Sequence, residues 1–275
     1  MIGRLLRHRA GRVGLVLVAL ILAAALFAPW LAPHDPNRID VANRFAGPSA
    51  EHLLGTDQLG RDLFSRLVHG ARIAVGVALA AVGLAAGVGA ALGIAAAWAP
   101  RWGEQAIVVL FDVLGSFPSL VFALALAALL GPGLGNVVIV VALTLAPQFG
   151  RVARAQCLSL RQAPFIEAER ALGAGPLRIA CMHVLPNIAG PLAVLASMDV
   201  PVVVTIEAAL SFLGGGVAPP LASWGALLHD GYEYLSQARG PAVYSALTLT
   251  LATLGFTLFG EGLRDAIDPK LRIEP

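Results

Sequence analysis

Long apolar runs, almost uninterrupted by charge, govern what this chain can become. The first is continuous from about Val13 to Ala32. At 1.5 Å per residue it crosses about 30 Å of hydrocarbon as a helix. Further runs follow at Ile73–Ala99, Gln105–Leu130, Leu134–Phe149, Ile188–Leu213 and Pro241–Phe259. Lipid offers no partners to a bare backbone, so each run has to be helical. Only 13% of the 275 residues are charged, against about 25% in an ordinary soluble domain. The expected fold is therefore an all-α polytopic membrane protein with six transmembrane helices. The fourth run is short and holds Pro147, so tilt or protein-lined irregularity is expected there. A signal peptide competes for the first run, but its apolar core would be about 7–15 residues. The longer run, preceded by Arg4, Arg7, Arg9 and Arg12 and ending in Pro29-Trp30, suits an uncleaved anchor with an interfacial aromatic.

The longest polar interval lies between the fourth and fifth runs, from Gly150 to Pro191, and carries Arg151, Arg154, Arg161, Arg170 and Arg178. Its middle reads as a short helix. Pro164 suits a first turn, where a missing N–H costs nothing. Phe165, Ala168 and Leu172 fall on one weakly apolar face, with Glu169 beside them. Glu167 and Arg170 are spaced to pair at i, i+3. Gly173, Gly175 and Pro176 stop the helix, and Pro176 can open a second one running into Leu185-Pro186. A helix this short is not stable alone in water. Either the rest of the chain or a partner protein must cover its apolar face, and composition by itself favours the former.

The spacing favours the partner. Glu167-Ala168-Glu169, three residues, Gly173, nine residues, then His183-Val184-Leu185-Pro186 resembles the EAA signature of ABC-transporter permease subunits. That resemblance implies a coupling helix that docks into a cleft on a cytosolic ATPase. The chain departs from the pattern twice: Glu169 stands where Ala is usual, and His183 where Ile is usual. His-x-Leu-Pro-Asn is similar to the peptide and nickel branch. Residues 52–72, HLLGTDQLGRDLFSRLVHGAR, resemble the segment preceding the second span in C-type permeases of dipeptide, oligopeptide and nickel importers. EAALSFLGGGVAPPLASWG and the tail Gly260–Pro269 are similar to the same branch.

The resemblance covers about His52 to Arg272. It implies a type I ABC importer permease fold, with residues 1–70 as anchor helix and outer segment and 71–275 as core, including the coupling loop 150–186. The implied ATPase-coupling residues are Phe165, Glu167, Ala168, Glu169, Leu172, Gly173 and Pro186. The implied partners are a second permease subunit, two ATPase subunits and an extracytoplasmic solute-binding protein. The cargo is expected to be a di- or oligopeptide, with nickel or a metal chelate as the runner-up.

Orientation follows from Lys and Arg. With six spans and the N-terminus inside, the inner pieces hold 13 of them and the outer pieces 6. The coupling loop then falls in the cytosol of a bacterial-type inner membrane, with both termini. The single lysine, Lys270, follows Asp268-Pro269, so no GxxxxGK[ST] phosphate loop exists. No cofactor is expected in this chain; ATP and Mg belong to the partner ATPases. HExxH, Cys-x-x-Cys and GxSxG are absent too, which argues against an intramembrane hydrolase. The net charge of +2 does not suggest nucleic acid. Cys157 and Cys181 are expected to be reduced thiols.

Three acids lie within the apolar runs: Asp112, Asp199 and Glu207. Charge at such depth is costly and faces protein or water, so these are the candidates for a translocation path. For Glu207 a packing role near the membrane edge is the stronger expectation. In a self-contained channel or ion-coupled carrier, the alternative of another class, the same acids would be the ion sites. Thr56 or Asp57 is expected to cap an amphipathic surface helix holding Leu59, Leu63, Phe64 and Leu67. His34, His52 and His69 lie in the first outer segment, but their spacing argues for no metal site.

Overall fold

A computed structural model describes residues 9–267. Arg4, Arg7, Asp268, Pro269, Lys270 and Arg272, used above for orientation and family likeness, lie outside them. The described residues are helical, with turns and one isolated bridge between Thr56 and Asp62. The helices are α1 (Arg9–Leu31), α2 (Leu63–Trp98), α3 (Arg101–Gly115), α4 (Ser119–Leu130) and α5 (Leu134–Leu160). Then come α6 (Pro164–Ala171), α7 (Pro176–Ile179), α8 (Leu185–Phe212), α9 (Trp224–Glu233) and α10 (Gly240–Ile267). A π-helical turn, Ala180–Val184, joins α7 to α8.

Small residues set the packing of the two central helices. A Cβ on Gly89 or Gly93 of α2 would run into the backbone of α5 at Ala146 and Gly150. The two backbones therefore approach closely, as small residues permit in lipid. Ile73, Gly76 and Val77 of α2 share a cavity wall with Leu134 and Val138, and Gly93 lies against Gly150 and Ala153. So α2 and α5 run parallel, and the chain between them must cross back. Around this pair α1 and α10 run antiparallel, Gly14 against Phe259 and Leu17 against Gly255. Gly260 of α10 meets Ser197 and Met198 of α8. Five helices are long and apolar enough to cross a membrane, or six if α3 and α4 form one bent span. The end of α1 meets the start of α2 through His34 and Ser65, and Arg161 reaches Ala97 at the other end of α2, so the start of α1, the end of α10 and the loop around α6 share one end of the bundle.

The structure corrects four boundaries. The third span is not one helix: α3 and α4 meet at 92° across Ser116-Phe117-Pro118. Pro118 has no N–H to give and forces Phe117 out of the helical region. The fourth span is not short. α5 continues through Pro147 to Leu160 and carries Arg151 and Arg154 on its last turns. The fifth begins well before Ile188, because the helix from Pro176 is continuous through the π turn to Phe212. The expected surface helix capped by Thr56 or Asp57 does not form. Asp62 caps α2 instead, accepting from the Ser65 N–H at 2.8 Å. Leu63 and Leu67 are buried in the first turns of that 36-residue helix.

Residues 55–66 form a buried polar knot at the end of the bundle away from α6. The Asp57 carboxylate accepts from the Leu59 and Arg61 N–H groups and from Arg61 Nε at 2.7 Å. Arg66 Nε stands 3.5 Å from it, and Arg61 reaches Asp230 of α9 at 3.5 Å. Trp224 of α9, fully buried, donates its indole N–H to the Leu67 carbonyl at 2.8 Å. Only a glycine at position 70 leaves room for that ring.

Candidate functional site

The loop around α6 is an elbow of two short helices. α6 ends in a paired main-chain motif: Gly173 N–H bonds the Arg170 carbonyl and Ala174 N–H the Glu169 carbonyl, both at 3.0 Å. That motif needs a left-handed residue at Gly173, whose φ is +84°. Pro176 then opens α7, which passes through the π turn into α8. The π turn precedes Pro186, which has no N–H for an ordinary i→i−4 bond; Leu185 N–H bonds Ala180 O instead, five residues back.

Ile166 and Ile179, one on each arm, are fully buried in the chain's own core with Val184 and Ile188. They anchor the elbow. The opposite face is bare. Leu172 is 84% exposed, Leu177 77% and Phe165 43%, and Glu167, Ala168 and Gly173 are also exposed. The chain covers the Ile166 side only and leaves the Phe165–Ala168–Leu172 stripe uncovered. Ile166 was not singled out in the sequence; its buried side was legible only as part of an i, i+3 pattern too short to phase. The expected Glu167–Arg170 ion pair is absent. Glu169 pairs instead with His183 Nε2 at 3.4 Å, so the two residues that depart from the EAA pattern face each other across the elbow. Pro186 is exposed at the start of α8.

Ahead of the elbow, basic groups on the last turns of α5 and at its C-cap tie that helix to α2 and α3. Arg154 of α5 donates from Nε to Glu104 of α3 at 3.0 Å. Arg161 bonds the Ala97 carbonyl at the end of α2. Arg151 donates to the Phe111 carbonyl at 2.7 Å.

The three intramembrane acids are not brought together. Asp112 is exposed near the end of α3, 3.9 Å from Arg151. Asp199 is buried in α8 and its Oδ2 has no partner. Glu207 is deeply enclosed by the bundle. Its Oε1 accepts from the Ser211 hydroxyl at 2.8 Å, and that hydroxyl in turn accepts from the Val217 N–H. None of the three lines the open groove of about 500 Å³ between α4, α8 and α10. That groove presents Ser119 at the α3–α4 break, Thr205 on α8, and Thr253, Thr257 and Glu261 on α10. The sequence held a signal for it: Thr253, Thr257 and Glu261 recur every four residues on one helical stripe.

Residues 89–273 match the family described as binding-protein-dependent transport system inner membrane component. Residues 1–48 match the N-terminal transmembrane domain of oligopeptide transport permease C. A putative peptide transport system permease of Brucella abortus is 40% identical over 271 residues, 98% of this chain and 91% of that protein. The di/tripeptide transport system permease of Pseudomonas aeruginosa is 40% identical over 96% of this chain and 90% of its own length. The glutathione transport system permease of Escherichia coli is 39% identical over 98% and 89%. Among solved structures, an inward-facing MetNI methionine ABC transporter contains a chain of similar fold. Its TM-score is 0.58 at 18% identity, covering 74% of this chain and 96% of that one.

Proposed function

The chain belongs to the family of binding-protein-dependent transport system inner membrane components, and from that premise we propose that it forms half of a translocation path for di- or oligopeptides, driven by separate ATPase subunits. Its relatives carry peptide, dipeptide and glutathione transport in their names, which supports a short peptide as cargo. The observation that carries the coupling role is the bare apolar stripe of Phe165, Ala168 and Leu172 on an elbow anchored from behind by Ile166 and Ile179. An apolar face held rigidly in water is a docking surface.

In this reading the elbow end of the bundle faces the cytosol with both termini, and two ATPases bind there with their ATP and Mg. A second permease subunit completes the path along the groove of Ser119, Thr205, Thr253 and Thr257. A solute-binding protein delivers cargo at the far end, against the knot of Asp57, Arg61 and Asp230. Nucleotide-driven closure displaces α6. Because Pro176 to Phe212 is one continuous helix, that displacement is carried along α8 to the groove wall at Met198, Val202 and Thr205. The bound nucleotide must favour one bundle arrangement over the other for this to drive transport.

The test is uptake by the reconstituted transporter. Ala168→Asp places a charge on the exposed stripe without touching the core. It should abolish uptake and ATPase stimulation while membrane insertion stays normal. Undiminished uptake would remove the coupling role.

A further inference from the structure

At the far end of the bundle, three residues distant in sequence converge. His34 follows α1, His52 lies in the connecting segment and Asp62 caps α2. Their ligating atoms all lie within 4.8 Å of one another. His52 Nδ1 stands 2.9 Å from Asp62 Oδ1, and His34 Nδ1 stands 3.8 Å from the same oxygen. The two rings lie side by side, 4.8 Å between centroids. We propose that His34, His52 and Asp62 form a binding site for a first-row transition-metal dication, which staples the segment after α1 to the start of α2.

A plain His–Asp hydrogen bond accounts for His52 but not for His34. His34 Nδ1 is enclosed and has no hydrogen-bond partner, and it points at an oxygen too distant to bond. Two ligands held about 2.0–2.1 Å from a tetrahedral ion stand about 3.3 Å apart. The observed 2.9 and 3.8 Å bracket that separation. The donors are also held from behind. The His34 N–H bonds Ser65 Oγ at 3.2 Å, the His52 N–H bonds Ser49 Oγ at 3.0 Å, and the His52 carbonyl accepts from Ser49 and Gly55. Asp62 Oδ2 is engaged by the Ser65 N–H, which leaves Oδ1 for the ion. Two imidazoles and one carboxylate suit zinc, nickel or cobalt rather than calcium or magnesium, which take oxygen cages. With three protein donors, a fourth position stays open to water. The separations of 18 and 10 residues carry no ligand pattern; only the turns fixed by Gly55 and Gly60, both at positive φ, close the triangle.

The test uses the full chain purified in detergent, dialysed against Zn2+ and assayed by elemental analysis, with Co2+ as a spectroscopic probe. One zinc per chain is expected, with Co2+ giving the intense visible bands of a tetrahedral site. His34→Ala and His52→Ala should each weaken binding by more than about 100-fold, since losing even a neighbour of a ligand costs about 10–100-fold. His34→Ala breaks no side-chain hydrogen bond, so the chain should fold. Asp62→Asn, which can keep the cap to Ser65, should lose the metal as well. His69→Ala and His229→Ala should bind as the parent does. No stoichiometric zinc, or zinc kept by His34→Ala and lost with His69 or His229, overturns the site.

Discussion

Ile166 lies within α6 and Leu172 caps its C-terminus, and their exposures predict opposite consequences for mutation. Leu172 is 84% exposed, so Leu172→Ser removes almost nothing from the isolated chain. If an ATPase cleft buries this side chain, the loss falls on association. Burying a leucine contributes about 1.5–3 kcal/mol; taking about 2 kcal/mol, the ATPase should bind roughly 30-fold more weakly. Ile166 is fully buried. Ile166→Ala opens a cavity and should cost the chain itself about 2–5 kcal/mol. The assay is paired: thermal unfolding of each purified variant alone, and binding of the ATPase subunits to the same variants in nanodiscs. Leu172→Ser should unfold with the parent and bind poorly. Unchanged ATPase affinity, or a fall in its melting temperature comparable to that of Ile166→Ala, would refute the docking-face argument.

Gly173 has φ +84° with open space around it, so Gly173→Ala should cost about 1–2 kcal/mol through backbone strain alone. Gly173→Asn, which tolerates that conformation, should retain most uptake; equal loss in both would show that the backbone is not the reason for glycine. The Glu169–His183 pair is about 28% exposed on each side, so a double-mutant cycle should give a coupling under about 1 kcal/mol, and Glu169→Ala should transport within a few-fold of the parent. Gly93→Leu would drive a side chain into the Gly150 carbonyl and should destabilise the chain by at least about 1–3 kcal/mol, read as loss of folded protein after extraction. Cys181 is exposed and Cys157 buried. A membrane-impermeant maleimide should therefore label Cys181 in inside-out vesicles and not in intact cells; labelling of intact cells would invert the orientation.

The sequence by itself determined the solvent and the all-helical class. A run such as Val13–Ala32 has one low-energy arrangement in hydrocarbon, a helix, whatever its neighbours do. It also determined the elbow, since Pro164, Gly173 and Pro176 act on their own backbone within a turn. Hydropathy could not see the break at Ser116–Pro118, because both halves of that run are equally apolar and only their 92° crossing differs. Nor could it follow α5 past Phe149, where arginines that suggested water bond neighbouring helices instead, as Arg161 does at the Ala97 carbonyl that ends α2. Tertiary structure alone decided which side of α6 is buried and where the membrane acids point. It alone also paired Glu169 with His183 and brought His34, His52 and Asp62 together. Those outcomes depend on contacts between residues tens of positions apart, which no local period encodes. A helix's existence is a property of its own backbone and solvent; the identity of its neighbours is a property of the whole bundle.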